Sequence, residues 1–257
     1  VTHELSLPSE QELVALVRDL AEQEEAVALT LEAIESGTFR HPDGRTDELE
    51  GVRLTPAQLG LLAFLARACP KPLSVEIGFG MGTSAAVILG ARKLARRPFA
   101  HLIFDPFGLR NGRGEIVQDY LKVRFPNGFR RVMKRSEVGL AALLDSNGRG
   151  IAGMIFIDGG HRFEQVMTDF VLADLLCCRG GTIVLDDACY PAIETVINYV
   201  TSNRPDYAVA HLAVAKTTVL RKVAADGRAW NSFTPFEVPQ RSDWTPSEAA
   251  GVEHADA

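Results

Sequence analysis

Apolar residues recur at helical intervals at Leu13, Leu16, Val17, Leu20, Val27 and Leu31, and Ser9 with Glu12 has the spacing of a self-closing helix N-terminus. An N-terminal helical region is predicted. After Gly37 the stretch TFRHPDGRTDELEGVR carries charges, Gly and Pro without sustained apolar periodicity, which predicts a loop. Thr55, Pro56 and Gln58 then set up a second capped start, with proline in the first turn, ahead of LGLLAFLARA. From residue 73 the period changes. LSVEI, AHLIF, FRRVM, GMIFI and GTIVL are short β-branched runs separated by helix-length segments near 83–95, 113–124, 136–145 and 161–177. Strands joined by crossovers of that length lie parallel, with helices on both sheet faces. YAVAHLAV and TTVLRKV are joined by only a couple of residues around Lys216, too few for a crossover, so they form an antiparallel hairpin.

The pattern gives an α/β fold: a Rossmann-like, seven-stranded, mostly parallel sheet with a C-terminal antiparallel hairpin, preceded by N-terminal helices. The expected organisation is a helical or lid region at 1–54, a main domain at 55–230 and a tail at 231–257. From Asn231 the tail is rich in Pro, Ser, Glu and Ala and predicts a loose terminus, with Trp230 or Trp244 as its anchor.

Composition narrows the function classes. The chain has 257 residues, 46% hydrophobic and 23% charged, as expected of a soluble globular protein, and its longer apolar runs are interrupted by Arg, Asp or Gly. No membrane span is predicted. Lys plus Arg number 27 and Asp plus Glu 33, a formal charge of −6, which argues against nucleic acid as a partner. Cys69, Cys177, Cys178 and Cys189 form no CxxC pair, and the first residues lack a long apolar core, so a reduced, cytoplasmic protein is expected.

The segment Val75-Glu76-Ile77-Gly78-Phe79-Gly80-Met81-Gly82-Thr83-Ser84 runs from a buried strand through three alternating glycines into a helix. Such a turn exposes N–H groups at the carboxyl edge of a parallel sheet, where a cofactor lies. The GxGxG spacing departs from the dinucleotide pattern GxGxxG, with Thr83 at the last position, which weakens a nicotinamide reading. Glu76 and Asp105, the latter closing the next strand, bracket the pocket with carboxylates, which suit ribose hydroxyls or a sulfonium and repel a pyrophosphate. The segment resembles the glycine-rich first motif of class I S-adenosylmethionine (SAM)-dependent methyltransferases, over about residues 55–225. By that resemblance Glu76 and the turn Gly78, Phe79, Gly80 and Gly82, leading into Thr83 and Ser84, surround the methionine portion. Asp105 binds the ribose hydroxyls and Ser136 contacts the adenine. Ser136 also reads as an ordinary N-cap.

A second constellation follows two later strands. MIFIDGGH puts Asp158 directly after one buried run and His161 at the next helix start, and IVLDD puts Asp186 and Asp187 after the following run. Adjacent parallel strands lie about 4.8 Å apart, so these carboxylates can share one crevice. Three acids together repel one another unless protonated, solvated or neutralised, and a hard divalent ion such as Mg²⁺ resolves the conflict. The alternative is that these residues cap helices and satisfy loops. DGGH with LDD resembles the metal-dependent small-molecule O-methyltransferases, in particular those that modify sugars and natural products, including antibiotics. The resemblance implies Asp158, Asp186 and Asp187 as metal ligands, Asp158 also at the donor site, His161 as general base, and a small-molecule hydroxyl as acceptor. Competing readings are a metal-independent N- or O-methyltransferase, a nicotinamide-dependent oxidoreductase and a non-catalytic SAM-binding module. The N-terminal helices and the loop His41–Asp47 are expected to cover an acceptor pocket lined by Phe107, Tyr190 and Trp230. The same helices offer a surface for a homo-oligomer.

Overall fold

A computed structural model describes residues 5–40, 44–49, 54–106, 113–212 and 216–239. The chain opens with α1 (Glu10–Gln23) and α2 (Glu25–Ser36), so the predicted helical region is two helices. The break is Glu24, extended at φ −136° and ψ 113°. Ser9 and Glu12 close the start of α1 reciprocally, and Leu13, Val17 and Leu20 form its buried stripe.

The stretch expected as a loop carries a small antiparallel pair, β1 (Thr38–Arg40) with β2 (Thr46–Glu48), which lacked the alternating apolar pattern of a core strand. Then come α3 (Pro56–Ala68), β3 (Leu73–Ile77), α4 (Thr83–Leu94), β4 (Ala100–Phe104), α5 (Arg113–Arg124), β5 (Phe129–Val132), α6 (Ser136–Asn147), β6 (Ala152–Ile157), α7 (Phe163–Leu176), β7 (Cys177–Leu185), α8 (Pro191–Asn203), β8 (Tyr207–Leu212) and β9 (Thr217–Lys222). Helix α8 is not among the predicted crossovers, although Ile193, Val196, Ile197 and Val200 carry helical spacing and are buried.

The main sheet has the order β5-β4-β3-β6-β7-β9-β8. All pairs up to β7 are parallel, and β9 runs antiparallel to both β7 and β8, as the short connection requires. Two apolar cores flank the sheet. Met154, Phe156 and Val184 face the layer formed by α1–α5, whereas Val75, Ile77, Ile155 and Ile183 face α6–α8. Helices α1 and α3 touch closely at Gly60, where a Cβ would stand 2.0 Å from the Leu13 carbonyl oxygen.

The tail is held differently from expectation. Trp230 is 97% exposed and anchors nothing, and Trp244 lies outside the described residues. The attachment is instead to α8: Asn203 exchanges hydrogen bonds with the Thr234 backbone (2.9 and 2.7 Å), and Phe236 packs edge-on against Tyr199. No helix among the described residues is long and apolar enough to cross a membrane.

Candidate active site

Register explains why the candidate residues share one edge. Ile77 pairs with Phe104 on one side and Ile157 on the other, and Ile157 pairs with Leu185. The next residue of each strand, Gly78, Asp105, Asp158 and Asp186, therefore falls in one row beyond the carboxyl ends. The backbone continues the ladder there: Gly78 N–H donates to Phe104 O (3.0 Å), Asp158 N–H to Ile77 O (2.9 Å) and Asp186 N–H to Ile157 O (3.1 Å).

Gly78 has φ +93°, and a Cβ on it would lie 2.0 Å from the Asp158 carbonyl oxygen, so the turn and the Asp158 loop touch through backbone alone. Gly82 ends the turn as the N-cap of α4, at φ 70°, with no side-chain cap. The first N–H groups of α4 thus have no internal side-chain acceptor and suit a ligand. Phe79 is buried; its N–H donates to Asp105 Oδ2 (3.0 Å), and the Arg131 guanidinium lies 4.6 Å above its ring and 3.4 Å from the same oxygen. Thr83 and Ser84 are buried in the first turn of α4. Glu76 lies inside the protein, 1% exposed, where it accepts from Ser84 Oγ and stands 2.6 Å from His101 Nε2. Its carboxylate is thus engaged beneath the turn. Ser136 is the first residue of α6, and its hydroxyl bonds Asp169 on α7.

On the other side of Gly78, one ligating atom from each of Asp158, His161 and Asp187 lies within 4.8 Å of the other two. His161 Nε2 is 3.1 Å from Asp187 Oδ2, and its ring stacks on Tyr190 at 4.8 Å between centroids. Asp187 has φ 51°, a left-handed conformation that an aspartate tolerates at a cost and that commonly marks a functional turn. Asp186 points elsewhere: Gln58 Nε2 (2.6 Å) and Thr217 Oγ1 (2.9 Å) both donate to its Oδ1, tying it to α3 and β9. Burial, then the Asp186, Asp187 and Glu76 carboxylates, push the Asp158 carboxyl well up. Burial and Asp187 also raise Asp186, to about 6. Two carboxylates close together, with an imidazole against one of them, form a group that fits a divalent cation.

Gln58 and His101 were not predicted as site residues. Gln58 carried only a capping signal. A histidine inside the apolar run AHLIF was the available sign of a buried polar contact. Phe107 and His41 lie outside the described residues. A small hollow lies against Gly82, walled by Leu29, Phe39, Val117 and Tyr120.

Residues 75–188 match a family described as a methyltransferase domain. A search of curated proteins finds no match. Among solved structures, the chain resembles the O-methyltransferase TomG from Streptomyces achromogenes, involved in tomaymycin synthesis and bound to SAM, with 16% identity and TM-score 0.59 over 85% of this chain and 100% of that one. It also resembles CalS11, a TDP-rhamnose 3'-O-methyltransferase of calicheamicin biosynthesis, with 13% identity and TM-score 0.54 over 84% and 96% of the two chains. The SAH-bound methyltransferase PaMTH1 of Podospora anserina aligns over 86% of this chain and 100% of its own, with 16% identity and TM-score 0.60. SAH is S-adenosylhomocysteine, the demethylated donor. The chain has the class I SAM-dependent methyltransferase fold, which it shares with these solved methyltransferases at 13–16% identity, and its residues 75–188 match a methyltransferase domain.

Proposed function

We propose that the protein is a divalent-cation-dependent O-methyltransferase that moves the methyl group of SAM to a hydroxyl of a small molecule, a sugar or another natural-product intermediate. The observation that carries this reading is the Asp158–His161–Asp187 group, directly across Gly78 from a glycine turn whose helix start lacks a side-chain cap. The solved relatives named as O-methyltransferases supply the acceptor class by analogy.

The glycine turn would hold the methionine portion of the donor, Asp105 the ribose and Ser136 the adenine. Asp158 and Asp187 would hold the cation, and Asp186 would join as a third carboxylate only by releasing Gln58 and Thr217. A bound Mg²⁺ would supply Lewis acidity that makes the acceptor hydroxyl more acidic. His161 has the geometry of an oriented base. With Nε2–H donated to Asp187, Nδ1 keeps its lone pair to take the hydroxyl proton, and the side chain is 42% exposed, within reach of a substrate. The apolar hollow beside Gly82 would mark the side from which the acceptor approaches. The buried Tyr120 hydroxyl there has no hydrogen-bond partner among the described residues and can donate to a substrate oxygen.

Two binding experiments and one assay test this reading. Mn²⁺ binding followed by electron paramagnetic resonance should be lost in Asp158→Asn, while SAH affinity by calorimetry changes less than about threefold, since only one charge is removed and the turn is left intact. Radiolabelled methyl transfer to a panel of hydroxylated glycosides and phenols should stop on chelation and return with Mg²⁺. Transfer that persists after thorough chelation rejects the cation dependence and leaves a metal-independent enzyme.

A further inference from the structure

Strand β3 reads Leu73-Ser74-Val75-Glu76-Ile77, an alternation that in an open sheet would turn the polar residues to water. In this sheet β3 is the third of seven strands, and Val75 and Ile77 fill the core under α6–α8. Ser74 and Glu76 therefore point at the α1–α5 layer, where each is 1% exposed. A carboxylate in that position must find its hydrogen bonds inside the protein.

It finds two. Ser84 Oγ, in the first turn of α4, donates to Oε1, and His101 Nε2 lies 2.6 Å from Oε2. His101 sits on β4 directly opposite Ser74, and its Nδ1 is 3.0 Å from Ser74 Oγ. With Nε2–H as the donor, the carboxylate accepts at both oxygens, one from His101 and one from Ser84. The result is one continuous chain, Ser74–His101–Glu76–Ser84, from the paired strands to the helix start that carries the glycine turn. The Ser84 bond ties the first turn of α4 to β3, a tie that the capping of α1 and α3 does not provide. Those two helices close their first turns with reciprocal capping boxes, whereas α4 begins at Gly82 with no side-chain cap.

We propose that His101 is a positioning residue for the methyl donor: by holding Glu76 it fixes Ser84, and so the direction in which the first amides of α4 face the ligand. The inference rests on the reading that this turn holds SAM or SAH. His101 does not touch the donor and acts only through Glu76.

Calorimetric titration of SAH, without metal or acceptor, tests it on the wild type and on His101→Phe, His101→Gln, Ser84→Ala and the double variant His101→Phe/Ser84→Ala. Losing a hydrogen bond to a buried charge should weaken SAH binding about tenfold in His101→Phe and in Ser84→Ala. The double variant should be no weaker than the worse single, because both cut one chain. Gln keeps an N–H donor, so His101→Gln should stay within about threefold of wild type. Unchanged affinity in folded His101→Phe, losses that multiply in the double variant, or failure of Gln to restore binding each overturn the proposal. Should His101→Phe not fold, Ser84→Ala decides, and unchanged SAH affinity there overturns it. A wild type that binds no SAH instead rejects the donor reading beneath it.

Discussion

At the level of single residues, Gly78 and Asp169 carry stresses that can be measured separately from chemistry. Gly78 combines a left-handed backbone with a Cβ position 2.0 Å from Asp158 O, whereas Gly148, at φ +78°, has nothing within 4 Å of its Cβ position. Both substitutions to Ala meet a conformational penalty at positive φ, Gly148 at ψ −168° in a region that glycine alone adopts readily, and only Gly78→Ala adds a backbone clash. Urea unfolding should show Gly78→Ala at least ~1–2 kcal/mol less stable than Gly148→Ala; equal losses would mean that the turn can shift away from the Asp158 loop. Asp169 is 2% exposed, and burial lifts its carboxyl to about 6, against a downward pull from the Ser136 hydroxyl and an upward push from Glu137. The folded chain therefore binds this proton more tightly than the unfolded chain, whose value is near 3.8. The sign follows: stability is favoured below pH 4, declines as pH rises toward 6, and is flat above it. Asp169→Asn removes that slope, so relative to wild type it should gain about 3 kcal/mol between pH 4 and pH 7, an order-of-magnitude figure from the shift. A wild-type-minus-variant difference that is constant across this range refutes the burial cost assigned to Asp169.

Among the elements, α3 shows how a local signal can conceal a long-range one. Its start was legible because a capping box is written in three neighbouring residues, and the structure has it: Thr55 N–H donates to Gln58 Oε1 (2.7 Å), and Gln58 N–H to Thr55 Oγ1 (3.2 Å). The same Gln58 side chain spends its Nε2 on Asp186 and on Thr217 Oγ1, which lie far along the chain. At α1 the equivalent box is exposed and, among the described residues, Glu12 bonds only to Ser9. Gln58→Leu should therefore cost about 2–3 kcal/mol in urea unfolding, against about 1 kcal/mol or less for Glu12→Ala. Similar losses at the two helices would show that the clamp on Asp186 adds nothing. The contrast also marks what the sequence could reveal. Strands β3 to β9 are legible because their periods are local, and Asp105, Asp158 and Asp186 fall on one edge because parallel strands end in register. The turn of Asp186 toward Gln58, and the capture of Glu76 by His101, are set by which faces meet after folding, and no spacing along the chain encodes them. The pair β1–β2 escaped for a related reason: three-residue strands carrying Arg and acids have no pattern that separates them from a loop.

For the whole molecule, the N-terminal layer is joined to the sheet-forming part by apolar packing and by one buried charge. The Glu24 carboxylate, 1% exposed, sits at the break between α1 and α2, where Lys93 of α4 reaches it at 2.7 Å and Arg124 of α5 at 2.5 Å. The three elements are thus fastened at a point that no helical period would identify. Burial raises the Glu24 carboxyl, but the hydrogen bonds and charges of Arg124 and Lys93 outweigh it, leaving the group below its usual 4.5. The stabilisation is accordingly complete above that value and is lost as pH falls through the lower, folded-state one. The two cations are 33% and 41% exposed and can return to water, whereas Glu24 cannot. Removing a cation therefore strands a buried charge, and removing the carboxylate strands nothing. Arg124→Met should cost about 2–3 kcal/mol and Glu24→Gln less, reversing the order expected if the pair contributed through attraction alone. Hydrogen exchange read by mass spectrometry should locate the loss in α1 and α2 while β3 and β6 stay protected, and lowering the pH of the wild type from 7 to 3 should loosen the same two helices first. Uniform loss of protection across the sheet would show instead that Glu24 supports the fold as a whole and does not fasten this layer in particular.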